Sequence, residues 1–180
     1  DIYLAAYTPN GLFLWAKRLG NDNDEGSPDL TVDATGIALM GSFRSNIAAV
    51  GGPTKESIFL DRLDHGGNVL WTVIGGTAND DLPATIASDG TRVYLGVIAG
   101  STTLRWNHTT SGQWNFSNNT ERDHVITAFN ADGTWGWATS ITDPSNNVVG
   151  YPNLLTTCAG IYVTGTVGTG STFPGSPTVT

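Results

Sequence analysis

Apolar and polar positions alternate along this chain in short runs rather than at helical spacing. Ile2-Tyr3-Leu4, Ile58-Phe59-Leu60 and His124-Val125-Ile126 each open a β-favouring run. Each run leads into a dipeptide ending in glycine: Asn10-Gly11, Gly66-Gly67 and Asp132-Gly133. A second run then ends at Trp15, Trp71 or Trp137, four residues beyond the glycine. The pattern predicts three hairpins. Asn-Gly, Gly-Gly and Asp-Gly suit a type I′ turn, in which both central residues take positive φ. A second apolar pair follows each tryptophan: Leu30-Thr31-Val32 with Ile37 to Gly41, Ala84-Thr85-Ile86 with Val93 to Gly96, and Leu154-Leu155 with Ile161 to Gly165. The turns between them read Asp33-Ala-Thr-Gly36, Asp89-Gly-Thr-Arg92 and Cys158-Ala-Gly160. No window combines i, i+3, i+4, i+7 apolar spacing with helix caps, so helices are not expected.

The register continues between these pairs. Nine residues after the tryptophans stand Asp24, Asp80 and Asn146, and Pro28, Pro83 and Pro152 follow at nearly matched distances. Each unit therefore reads as two hairpins, or four short strands, and a period of this size belongs to a β-propeller blade. The run Ile2-Tyr-Leu4, Asn10-Gly11, Leu14-Trp15, Leu19-Gly20, Asp24 and Val32-Asp-Ala-Thr-Gly36 resembles the bacterial and archaeal SBBP-type β-propeller repeats. Gly160-Ile-Tyr-Val-Thr-Gly165 with Ser171-Thr-Phe-Pro174 is similar to that family's strand and following loop. The resemblance covers the whole chain in three units, about residues 1–55, 56–120 and 121–180, within a single domain over 1–180. It implies an all-β fold of three four-stranded antiparallel blade-like repeats and a secreted or surface setting. It carries no catalytic residues.

The frame of the repeat has a consequence. The loop after Gly41 leads through Gly51-Gly52-Pro53 into Ile58-Phe59-Leu60, and Ser171 to Thr180 occupies the corresponding place. What should follow is an Asp-Ile-Tyr-Leu strand, which is how the chain begins. Three blades fall short of the usual four to eight. A piece of a longer propeller, a self-contained three-unit domain, and completion of one subunit by another all accommodate this. Completion between subunits would put the contact on Asp1, Ile2, Tyr3 and Leu4 at one end and Phe173, Thr178 and Val179 at the other. Open strand edges pair readily with another chain, and head-to-tail contacts give closed rings or filaments.

Charge and composition narrow the function. Eight Lys+Arg against sixteen Asp+Glu give a net charge of −8. A basic face for phosphate is therefore not expected, which argues against nucleic-acid partners and against docking on anionic lipid. No apolar run is long enough to insert in a membrane as a helix. The single Cys, Cys158, rules out an internal disulfide framework. His65, His108 and His124 fall into no metalloprotease, hydrolase or nucleotide-binding motif, and the chain is expected not to be an enzyme. The absence of an initiating Met at Asp1 fits either a removed signal or a piece of a longer protein; the extracellular or cell-surface location expected here is what the resemblance implies.

Two segments carry candidate sites. The spacing from Trp71 to Trp137 exceeds that from Trp15 to Trp71 by ten residues, and the excess is an insertion around 101–120. It holds three N-glycosylation sequons, at Asn107, Asn115 and Asn118, in a chain already rich in Asn, Ser and Thr. It also holds Trp106 and Trp114, which read either as a hairpin pair packed on the blade or as a stacking platform for sugars. The acidic loop Asn21-Asp22-Asn23-Asp24-Glu25-Gly26 resembles the start of a calcium loop through Asp22 and Asp24, but the distal bidentate Glu is missing. It reads mainly as a turn in which Asp24, like Asp80, accepts backbone N–H bonds. No cofactor is expected beyond that calcium option. The leading expectation is a non-enzymatic structural subunit that assembles with copies of itself. The alternative is a carbohydrate-binding or adhesive module that uses the Trp-rich insertion and takes glycans as partners.

Overall fold

The computed structural model describes residues 1–20, 25–44, 55–107, 112–115, 122–142 and 150–173. Among them lie fourteen strands and no helix: β1 (Ile2–Tyr7), β2 (Phe13–Leu19), β3 (Glu25–Asp33), β4 (Gly36–Arg44), β5 (Glu56–Leu63), β6 (Val69–Gly76), β7 (Leu82–Ser88), β8 (Arg92–Ala99), β9 (Thr103–Asn107), β10 (Gly112–Asn115), β11 (Asp123–Asn130), β12 (Trp135–Ile141), β13 (Asn153–Thr157) and β14 (Gly160–Thr164). All pairings are antiparallel.

The three expected hairpins are β1–β2, β5–β6 and β11–β12. They share one register, with a bulge at the same place in each: after Ala6, Arg62 and Ala128. Their turns differ from the sequence expectation. Gly11, Gly67 and Gly133 have positive φ (81°, 74° and 83°), but Asn10, Gly66 and Asp132 do not. Gly11 N–H donates to Thr8 O and Thr8 N–H to Leu12 O, and the same pair of bonds closes the turns at Asp64 and Asn130. These are three-residue loops, a tight turn followed by a left-handed glycine, rather than two-residue type I′ turns.

The blade frame is also corrected. The described strands form sheets of two (β1-β2), six (β10-β9-β6-β5-β4-β3), four (β12-β11-β8-β7) and two (β13-β14) strands, not three four-stranded blades, and they do not close into a ring. The four-stranded unit is real but its phase differs. A sheet begins with the hairpin that follows one tryptophan (β3–β4 or β7–β8) and ends with the hairpin that carries the next (β5–β6 or β11–β12). The hairpin β1–β2 and the hairpin β13–β14 are thereby left as separate halves. Pro28 and Pro83 sit at register breaks in β3 and β7, the first strands of their sheets, where a missing N–H is tolerated.

The four sheets stack in chain order. One cluster (Ile2, Leu4, Ile37, Leu39, Phe43, Phe59 and Leu63) joins β1–β2 to the six-stranded sheet. A second, with Met40, Leu60, Val73, Leu95, Val97, Trp106 and Phe129 at its centre, lies between the six- and four-stranded sheets. A third (Ala87, Tyr94, Ile126, Ala128 and Leu154) joins the four-stranded sheet to β13–β14. The inner strands β4, β5, β8 and β11 of the two middle sheets are thus covered on both faces. That explains why β4 reads Gly-Ile-Ala-Leu-Met-Gly-Ser-Phe without polar alternation and is buried from Gly36 to Phe43.

The insertion contributes β9 and β10. Instead of extending its own sheet, β9 pairs with β6 of the preceding one, Gly75 opposite Trp106. A Cβ on Gly75 would stand 2.0 Å from the Trp106 indole, so only glycine lets that ring lie flat across the strand.

Candidate functional site: two half-sheets with open edges

In the complete sheets, the outer edge of β4 pairs with β5 and that of β8 with β11, eight residues in each case. The same edges of β14 and β1 pair with no described strand. Each of these half-sheets also has one covered face and one open face. Ile2 and Leu4 point into the stack, whereas Tyr3 between them is 83% exposed. At the same distance before their tryptophans, Phe59 and Val125 are 9% and 0% exposed. Tyr162 is 57% exposed, while Tyr94, equally placed in β8, is 5% exposed. Tyr7, Leu30 and Val32 on one side and Leu155 on the other are likewise exposed. Unpaired N–H and C=O groups flanked by exposed aromatic and aliphatic side chains are a template for another strand.

The tryptophans show how one hairpin seats on the next. The Trp15 ring lies against Gly67, at 2.8 Å from the place a Cβ would take, and Lys17 Nζ donates to Asn68 Oδ1 at 2.7 Å beside it. The Trp71 Nε1–H donates to Ala131 O, in the turn before Gly133, at 3.0 Å. Gly67 and Gly133 are buried accordingly, whereas Gly11 is exposed and has nothing within 4 Å of its Cβ position. Trp137 packs on Tyr94, ring centroids 6.2 Å apart, and no further hairpin with a glycine-to-tryptophan second strand follows it among the described residues.

The first strands of successive sheets are stitched by polar contacts. Asp29 Oδ2 accepts the Ile86 N–H at 3.1 Å, and Thr85 Oγ1 accepts the Leu154 N–H at 3.3 Å. Asp33 binds the buried Arg62 at 2.5 Å and accepts the Ser88 hydroxyl. Burial alone would raise the Asp33 pKa, but the hydrogen bonds from Arg62, Ser88 and Thr35 prevail and hold it well below the usual carboxylate range. Asp80 Oδ1 accepts a backbone N–H, as expected, but from Glu56 at the start of β5, at 2.8 Å, rather than from within its own turn. Its neighbour Asp81 is fully buried and accepts from Thr77 N, Thr77 Oγ1 and Gly100 N. Desolvation outweighs those bonds and pushes its pKa up to about 6.

Asp1 is exposed and pairs with Arg18 at 2.7 Å, at the open end of β1. Phe173 is half-buried near the bridge between Thr142 and Thr172. Thr178, Val179, Asp22, Asp24 and Asn118 lie outside the described residues. Among the described residues no cluster of His, Cys, Asp and Glu could hold a metal ion. Asn107 and Asn115 end β9 and β10. Trp106 is 1% exposed and stands edge-on to Phe129 with centroids 4.9 Å apart, so its faces are not available for stacking on a sugar. β9 and β10 form a hairpin with Trp106 opposite Gly112 and Trp114 opposite Leu104, which makes the two tryptophan positions diagonal neighbours across it. The buried Asp81 and the Asp33–Arg62 pair were not anticipated. The Asp-x-Thr turn at Asp33, repeated at Asp89, is a sequence mark for the first member of that pair; Asp81 had none. No family model matches the chain, and no curated protein matches it.

Proposed function

We propose that this chain is a non-enzymatic structural subunit that assembles with copies of itself. In this reading the two half-sheets of neighbouring subunits complete one four-stranded blade, and the stack continues as a propeller-type closed oligomer or a filament. The observation that carries the reading is the pair of matching deficits: one half-sheet lacks its second hairpin, the other lacks its first. Burying Tyr3, Tyr7, Leu155 and Tyr162 would add the apolar contact that the middle sheets already enjoy, at roughly 25 cal/mol per Å² removed from water. The kinship with SBBP-type repeats and an extracellular or cell-surface setting belong to the same proposal. The acidic surface, and glycans at Asn107, Asn115 or Asn118, would keep such an assembly soluble. Trp106 is buried, so the alternative sugar-binding reading would rest on Trp114, whose side chain lies outside what is described.

Light scattering with electron microscopy of the same sample tests this. Regular particles with masses at multiples of 18.9 kDa are expected. A uniform 18.9 kDa species across a wide concentration range would overturn it.

A further inference from the structure

Resting on that self-assembly reading, we infer that β14 of one copy pairs antiparallel with β1 of a second copy, head to tail, in a single register: Ile161 opposite Tyr7, Tyr162 opposite Ala6, Val163 opposite Ala5 and Thr164 opposite Leu4 of the second copy. The register comes from the two complete sheets. Ile37 of β4 stands opposite Leu63, eight residues before Trp71, and Val93 of β8 stands opposite Phe129, eight residues before Trp137. Ile161 occupies the place of Ile37 and Val93, immediately after Gly36, Arg92 and Gly160. Eight residues before Trp15 stands Tyr7.

Two independent features fit the same partner. The first is the identity of the faces. In the complete sheets, positions equivalent to Tyr3 and Tyr7 (Phe59 and Leu63) pack toward the preceding sheet. Those equivalent to Leu155 and Tyr162 (Ala87 and Tyr94) pack toward the following one. A completed blade β13-β14-β1-β2 therefore turns the second copy's tyrosines onto the four-stranded sheet of the first. It turns Leu155 and Tyr162 onto the second copy's β3, where Leu30 and Val32 are exposed. A one-residue slip would reverse every one of these placements. The second feature is the tryptophan series. Trp15 seats on the turn at Gly67 and Trp71 on the turn at Ala131. Trp137 then seats on the turn Thr8–Gly11 of the second copy, where the Gly11 surface is vacant and Pro9 O stands where Ala131 O does in its own turn.

The test mixes two single-cysteine chains on a Cys158→Ser background, one of them tagged: Ala5→Cys with Val163→Cys. Mild oxidation should give the tagged–untagged heterodimer as the main product, because directly opposed residues meet disulfide geometry. Ala6→Cys mixed with Val163→Cys should give at least tenfold less, since Ala6 projects to the other face. Equal yields from both mixtures, or no heterodimer while the parent chain still assembles, would overturn the pairing and leave self-assembly standing. A parent chain that is monomeric by light scattering would overturn both. A cysteine-free check uses charge. Val163→Lys alone should lower the particle mass, Ala5→Glu in the same chain should restore it, and Ala6→Glu should not. Restoration by neither or by both contradicts the register.

Discussion

At the scale of single residues, glycine and aspartate do the most. Gly11 and Gly67 hold the same left-handed conformation in the same kind of turn, but only Gly67 is covered, by Trp15. Gly11→Ala in the dissociated chain should therefore cost only the left-handed strain, about 1–2 kcal/mol. Gly67→Ala adds displacement of the indole and should cost more, by about 1 kcal/mol or above. Equal losses in denaturant unfolding would mean that Trp15 does not bear on that turn. Asp81 gives a pH signature. Its pKa is raised in the folded state to about 6 from 3.8, chiefly by burial. The folded state thus binds the extra proton between those values. The stability due to Asp81 is complete below pH 3.8 and is lost as the pH rises through about 6, a change of about 3 kcal/mol. Asp33 and Asp89 are shifted the other way, so their contribution is lost only in stronger acid. Thermal stability should fall from pH 4 to pH 7, and Asp81→Asn should flatten that fall. An unchanged slope would place the titration elsewhere. Nothing in Thr77-Ala-Asn-Asp-Asp81 marked the last residue as buried; a polar loop and a buried carboxylate cage have the same composition.

At the scale of elements, the hairpins were legible because local chemistry decides them. A glycine that must adopt positive φ, flanked by runs of β-branched and aromatic residues, leaves few other choices. The phase of the sheets was not legible. The strongest mark in the sequence, glycine to tryptophan, belongs to the second hairpin of a sheet, while the first hairpin has weaker marks such as Asp33-Ala-Thr35 and Asp89-Gly-Thr91. A period read from tryptophans gives the repeat length without saying where a sheet begins. The attachment of β9 was hidden for a related reason. It depends on Gly75 and Gly76, some thirty residues away, offering bare backbone to Trp106 and Arg105. Gly75→Ala puts a methyl 2.0 Å from the indole ring and should lift Trp106 off β6. The expected outcome is faster amide exchange at Ile74 to Gly76 and a loss of about 3 kcal/mol, near that of removing the indole itself. Wild-type exchange at those amides would show that the β6–β9 pairing stands without the close approach.

At the scale of the whole molecule, a stack of sheets has two end faces, and here both are apolar. The residues on them were visible in sequence as ordinary members of alternating strands. Tyr3 and Tyr162 look no different from Phe59 and Tyr94 until one knows which sheets have a neighbour on each side. That difference yields a prediction separate from the register of pairing. Tyr162 and Leu155 are more than half exposed in the single chain, so Tyr162→Ser with Leu155→Ser should change its stability little, within about 1 kcal/mol for the pair. Binding between copies acts differently, because it stabilises the folded state by mass action and makes the melting temperature rise with protein concentration. Under the proposed assembly, the parent melts at rising temperature as concentration is raised, and the double variant melts at one temperature throughout. If parent and variant rise together, copies associate through some surface other than this face. If the variant is already destabilised when dilute, Tyr162 and Leu155 support the chain's own fold, and their exposure has a structural rather than an associative meaning.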